Sequence, residues 1–263
     1  MTKIILTLTL IAIAFSSCKK EVSNLEESSF LEVEEKNMGV VAKRTATWCG
    51  PCGGWGFEYF DQLKLQYQDK AVFMAFKTAL DLPLTYGDTY YSRVKDIFDI
   101  EGGTPKFFYN FDTIHGYNYS GENSVVQHVN SEVIANSDYD FKLSSDKIHL
   151  KTTTKFFQSV EGDYVISPFL IIDNQEGYQA GNDDGENTVH PSYVANLAHP
   201  INTEDVENWA YKVASGKVDK GYRINLEFEV NRDEAWTEDD ISFALILYKR
   251  QGNKYKFVNA FTK

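Results

Sequence analysis

The chain has 263 residues, 43% of them hydrophobic and 14% aromatic, with a formal net charge of −12. Length and composition fit one large folded domain or two of ordinary size, and exclude global disorder and a collagen-like fibre. The acidic balance repels phosphates, which argues against nucleic acid as a partner, and three cysteines are too few for a disulfide scaffold.

The N-terminus reads as an address. Lys3 precedes an apolar run from Ile4 to Phe15, followed by Ser16-Ser17-Cys18 and then by Lys19-Lys20-Glu21. As a helix the run would span about 18 Å, short of the roughly 30 Å hydrocarbon core of a bilayer. A basic start, a short apolar stretch and small residues at its end predict a secretory signal. The pattern resembles a bacterial lipoprotein signal, which implies cleavage of residues 1–17 and a lipid on Cys18. Phe15 and Ser17 depart from the commonest residues at their positions. The resemblance implies a life outside the cytoplasm, where thiols are often oxidised. Residues 18–37, rich in Glu and Ser from Val22 onward, predict a solvated tether.

From Met38 the pattern changes. Val40-Val41-Ala42 predicts a short strand, ending in Thr45-Ala46-Thr47-Trp48-Cys49-Gly50-Pro51-Cys52. Phe57, Phe60, Leu63 and Tyr67 then recur at helical spacing. Ala71 to Phe76 predicts a strand, and Asp88 predicts the cap of a helix carrying Tyr91, Val94 and Phe98. Thr104-Pro105 opens a strand at Lys106 to Tyr109, and a turn at Asn110-Phe111-Asp112 leads to a second strand at Ile114 to Tyr119. Val125, Val129 and Val133 predict a helix ending near Asn136. This order of elements predicts an α/β domain over residues 38–137.

The string Trp48-Cys49-Gly50-Pro51-Cys52 between a strand and a helix, with Thr104-Pro105 just before a later strand, resembles the thioredoxin superfamily. That resemblance implies a thioredoxin-like fold and a thiol–disulfide oxidoreductase, with Cys49 as nucleophile and Cys52 as resolving thiol. At a helix N-terminus Cys49 would meet unpaired backbone N–H groups that favour its thiolate, the attacking species. Pro51 costs nothing in a first helical turn, where its missing N–H has no partner to lose. If Pro105 is cis, the backbone of Thr104 is left facing the sulfurs, available to a substrate strand. The resemblance further implies that Trp48 packs beside the site, that Gly50 separates the cysteines with Pro51, and that Thr104 tunes the pair. No cofactor is required, since the electrons reside in the Cys49–Cys52 disulfide.

Two features depart from the family pattern. Where thioredoxins carry a buried acid six residues before the nucleophile, this chain has Lys43, followed by Arg44. Either the strand register is shifted and Lys43 is exposed with its stem on the sheet, or a positive charge lies near the sulfurs and stabilises a thiolate. Gly53-Gly54-Trp55-Gly56 also falls where a helix should be established, and each internal glycine costs roughly 1 kcal/mol. Close backbone approach, by a substrate or by the second domain, is one reading; a frayed first turn is the other.

Beyond Asn136 the period becomes two. Ile148, Leu150, Thr152 and Thr154 alternate, and Tyr164 to Ile172 is a strand broken by Pro168. Val189 to Leu197, Tyr222 to Val230, Ile241 to Tyr248 and Tyr255 to Phe261 follow, with one short helix expected at Glu204 to Lys212. This predicts an all-β immunoglobulin-like sandwich domain over residues 138–263. Phe169 to Asp173, Gln179, and His190 through Tyr193-Val194 to Leu197 are similar to the second domain of the outer-membrane protein 28 family of lipoproteins. That similarity implies an outer-membrane location in the cell envelope and supplies no substrate. No metal is predicted: the five histidines form no H-x₃₋₅-H spacing, and Asn182 to Asn187 departs from the EF-hand pattern. His190 and His199 are expected to make ordinary hydrogen bonds. The partners implied are protein thiols or disulfides of the envelope, an unidentified redox partner, and the membrane through Cys18. The competing reading is a surface or periplasmic binding lipoprotein with a thioredoxin-like scaffold and no catalysis.

Overall fold

The computed structural model describes residues 29–78, 103–111, 113–115, 121–201, 205–207 and 209–263. The signal, Cys18, the expected helix through Tyr91 to Phe98 and most of the strand expected at Ile114 to Tyr119 lie outside them. The described chain is mostly β, in mixed sheets.

Strand β1 (Gly39–Ala46) is followed by a one-turn helix α1 (Gly50–Gly53), helix α2 (Trp55–Tyr67) and strand β2 (Ala71–Thr78). Strands β3 (Lys106–Tyr109) and β4 (Thr113–His115) and helix α3 (Glu122–Val129) complete this part. β2 lies parallel to β1, β3 antiparallel on its other side, and β4 antiparallel beyond β3. Alternation along β1 sends Val41 to one face, where it packs with Phe107, Tyr109, Phe60, Leu63 and Val125 beneath α2 and α3. Val40 and Ala42 point to the opposite face and join a cluster shared with the later strands. Burial on both faces explains the unbroken apolar run in the sequence. Asn110 and Phe111 turn the chain out of β3 with φ of 53° each, and Asn110 Oδ1 accepts the Val40 N–H at 2.8 Å.

In the later chain, β5 (Ala135–Leu143), β6 (Lys147–Phe156), β12 (His199–Pro200) and β16 (Arg223–Asn231) form a four-stranded sheet. Strands β8 (Tyr164–Ile172), β11 (Tyr193–Leu197), β13 (Asp205–Glu207), β14 (Ala210–Ala214), β17 (Ile241–Gln251) and β18 (Lys254–Phe261) belong to the same large sheet as β1 to β4. The bridge is β11, antiparallel to β8 on one side and parallel to β2 on the other, where Ala75 donates its N–H to Ser192 O at 2.7 Å. The two sheets face each other across rings such as Tyr139 and Phe243, 5.7 Å apart. Short pairs β9 (Gln175–Gly177) with β10 (Thr188–His190), and β7 (Val160–Glu161) with β15 (Lys217–Val218), fill the margins.

Several expectations need correcting. The boundary expected after residue 137 falls inside β5, and the large sheet runs across it. The helix expected to end near Asn136 ends at Val129, and Asn136 already belongs to β5. The helix expected at Glu204 to Lys212 is a hairpin of β13 and β14, with Tyr211 opposite Ile166 and Ser167 Oγ donating to Trp209 O at 2.7 Å. The buried side chains of Trp209 and Tyr211 suit a β environment better than a helix. Pro168 does not break β8: its carbonyl accepts from Ala198 where β11 gives way to β14, so its missing N–H faces that junction. Residues 29–37, expected in the tether, lie on the body instead. Val33 and Asn37 are buried, Leu31 N–H donates to Thr153 Oγ1, and Asn136 Nδ2 donates to Glu34 O.

Candidate functional site

β1 delivers the chain into the turn Ala46–Cys49, and α1 begins at once. Cys49 has extended backbone dihedrals and caps α1 with its own sulfur, which accepts the N–H of Cys52 at 3.2 Å. Cys49 and Cys52 are disulfide-bonded, with Cα atoms 5.2 Å apart. Pro51 stands in the first turn, where its missing donor is harmless. Both cysteines are buried, at 6% and 1% exposure, and Ala46 packs against them. Trp48, expected to pack beside the site, is 56% exposed and turned outward. The Thr104–Pro105 peptide is cis, and Pro105 lies close enough to α2 that a Cβ on Gly56 would come within 3.1 Å of it.

The three glycines after the motif have a structural cause. α1 and α2 are separate helices with the break at Gly54, whose ψ is −115°. A Cβ on Gly53 would stand 2.2 Å from Ala180 O, and one on Gly181 would stand 2.2 Å from Gly50 O. The chain between β9 and β10 is therefore seated on α1, backbone against backbone. Of the readings left open by the sequence, close approach by the later half of the chain is the one realised. Gln179, fully buried, anchors this strap: Nε2 donates to Ala46 O at 3.1 Å and to Cys49 O and Ala180 O at 3.2 Å, with Thr47 O at 3.4 Å. Ala180 N–H donates to Thr47 O at 2.7 Å. Asn182 to Asn187, expected as a solvated loop, continues from this seat.

Lys43 is not exposed. It shares the α2 face of β1 with Val41, and its Nζ lies 4.2 Å from the ring centroids of both Phe57 and Phe60. Burial lowers its pKa to about 7, with Asp61 pulling it up and Lys64 pushing it down. Two positions beyond Lys43's partner on β2 stands Lys77, also buried, and hydrogen-bonded to Nδ1 of His190 on β10. Burial and the neighbouring Lys43 lower the Lys77 pKa to about 6, while burial and Lys77 push His190 down to about 3. His190 was expected to make an ordinary hydrogen bond; its partner is another base. Three basic groups thus collect around Phe57, whose ring meets that of His190 edge-on at 5.8 Å. The sequence signalled Lys43 through its place before the motif. Nothing local signalled Lys77, Gln179 or His190 as neighbours, because the elements that bring them together are more than 100 residues apart.

No group of three or more His, Cys, Asp or Glu side chains among the described residues is arranged to hold a metal ion. No helix among them is long and apolar enough to cross a membrane.

No protein-family model matches the chain, and no curated protein matches it. Solved structures share its fold. HBP35 of Porphyromonas gingivalis superposes with a TM-score of 0.65 at 15% identity, over 88% of this chain and 76% of that one. A protein from Agrobacterium tumefaciens superposes with a TM-score of 0.51 at 12% identity, over 87% of this chain and 95% of that one. A domain of the outer membrane lipoprotein Omp28 from Porphyromonas gingivalis overlaps 49% of this chain at 8% identity, and its TM-score of 0.27 is too low to speak for a common fold.

Proposed function

We propose that the protein is a thiol–disulfide oxidoreductase of the cell envelope, built on a thioredoxin-like unit and anchored by a lipid on Cys18. The observation that carries the reading is the capping of α1 by Cys49, whose sulfur accepts the Cys52 N–H. A thiolate left there on reduction inherits that hydrogen bond, which lowers its pKa and raises the attacking fraction. The parallel β1–β2 pair with the cysteines between them, the antiparallel β3 and β4, and α3 after them support the thioredoxin-like assignment. The sheets that face each other in the later half support an immunoglobulin-like sandwich beside it. The envelope location rests on the basic, apolar and small-residue pattern ending at Cys18.

In the reducing direction, the Cys49 thiolate attacks one sulfur of a protein disulfide. A mixed disulfide forms and one substrate thiolate departs and takes a proton. The Cys52 thiolate then attacks Cys49 Sγ, forming the Cys49–Cys52 bond and releasing the second substrate thiolate. Two electrons pass from the pair to the substrate, and the oxidising direction is the reverse. Gly50 and Pro51 separate the two cysteines; in this reading the exposed Trp48, with Thr104 and Pro105, is available to the substrate, and Lys43 tunes the pair.

The reduction potential of the pair tests this, measured by dithiothreitol or glutathione titration with thiol alkylation read as a mass shift. A value between roughly −120 and −270 mV supports exchange chemistry and gives its direction. A value below about −300 mV marks a structural disulfide and favours a binding lipoprotein instead.

A further inference from the structure

We infer that Gln179 and the strap that it anchors, Tyr178 to Asn182, are a positioning element of the Cys49–Cys52 centre, through which the β-rich half of the chain sets the reactivity of the thiol pair. The inference rests on the redox reading above and extends it to residues outside the motif.

The geometry of Gln179 is that of a purpose-fitted donor. Its amide nitrogen faces four backbone carbonyls, those of Ala46, Thr47, Cys49 and Ala180. Only an NH₂ group can satisfy carbonyls on that side, so the orientation of the amide is fixed by its surroundings. Two of those carbonyls flank Trp48, and one is that of Cys49 itself. The Ala180 N–H adds a backbone bond to Thr47 O. Together they hold the turn that carries the nucleophile, from the last residue of β1 to Cys49.

The strap also constrains α1. Gly53 and Gly181 leave no room for a Cβ between the two backbones, so the seat complements α1 in the position it occupies with the disulfide closed. Reduction lets the sulfurs part from bonding to contact distance, and any movement of α1 that follows works against this seat. The strap therefore favours the disulfide form. Coupling of this kind is reciprocal: if the strap shifts the redox equilibrium, the redox state shifts the seating of the strap by the same factor.

The test uses the full chain and the variants Gln179→Met, which keeps the volume and removes the donor, and Gln179→Glu, which aims a carboxylate at four carbonyls. Circular dichroism and thermal melts establish folding, and redox titration against dithiothreitol gives the equilibrium constant. Loss of the donor set shifts that constant about tenfold toward the dithiol, or about 30 mV. Gln179→Glu departs from wild type more at pH 8 than at pH 5, because only the protonated acid has a hydrogen to donate. On the wild-type protein, hydrogen exchange with mass spectrometry compares the peptides spanning 174–186 in the disulfide and dithiol forms. Exchange in that segment rises on reduction, a readout that needs no variant to fold. An unchanged equilibrium constant in folded variants, or exchange insensitive to redox state, overturns the positioning role. A wild-type pair that resists reduction below about −300 mV overturns the oxidoreductase reading itself, and so distinguishes the two failures.

Discussion

Lys43 gives the sharpest test of how the buried basic cluster is built. Replacing it with Met removes the ionisable group while filling similar space between Phe57 and Phe60. In the folded protein the Lys43 pKa is lowered to about 7; in the unfolded chain it returns to 10.5. Below pH 7 both states carry the proton, and folding must bury the charge, at a cost of about 5 kcal/mol from the difference in pKa. Between pH 7 and 10.5 the unfolded chain binds a proton that the folded protein does not, so wild-type stability rises with pH and the cost fades. Asp61 and Lys64 act on the ammonium in opposite directions, and burial outweighs both. Lys77 is common to both proteins and cancels to first order, although loss of the Lys43 charge lets its own pKa rise. Lys43→Met should therefore be more stable than wild type at pH 6, by an amount that shrinks by about 3 kcal/mol by pH 9. Urea unfolding of the oxidised proteins at pH 6, 7.5 and 9 measures this. A gap that stays constant across that range refutes the assignment of Lys43 as a group that must give up its proton to be buried.

Other positions give independent checks. Gly53→Ala should cost about 3 kcal/mol in thermal melts, because its Cβ meets the backbone of Ala180 and Asn182, whereas Gly50→Ala, with open space around the added methyl, should stay within about 0.5 kcal/mol. Glu122 accepts from Tyr59 Oη at 2.8 Å and Tyr67 Oη at 3.0 Å, tying α3 to α2, so Glu122→Ala should lower stability by about 2 kcal/mol in urea titrations. At Asn110, with its positive φ, alanine should be worse than glycine by about 1 kcal/mol, since both lose the bonds to Val40 and Ser124 and only alanine keeps the left-handed strain.

Much of the β framework was legible because its signal is local. Lys106–Tyr109 stands where the preceding proline placed it, and β6, β16, β17 and β18 lie within a few residues of the runs that announced them. The single run Val189 to Leu197 instead divides into β10 and β11, which belong to different sheets. The misreadings came where a local pattern met a tertiary partner. Trp209 and Tyr211 read as part of a helix until β14 paired with β8. Pro168 read as a break until the handover from β14 to β11 absorbed its missing donor. The cysteine pair was legible from five consecutive residues. Lys43 was noticed, yet its burial depends on two aromatic rings from α2, and Gln179 acquires its role only because Gly53 and Gly181 let two distant backbones touch.

The bridge between β2 and β11 sets how the molecule comes apart. Val72, Met74 and Phe76 are buried in the cluster that also holds Phe169, Tyr193 and Tyr248. A fragment ending at residue 137 would leave those side chains wet and the β11 side of β2 as an open edge, an invitation to intermolecular pairing. The two halves should therefore melt in a single calorimetric transition, and neither should be soluble when expressed without the other.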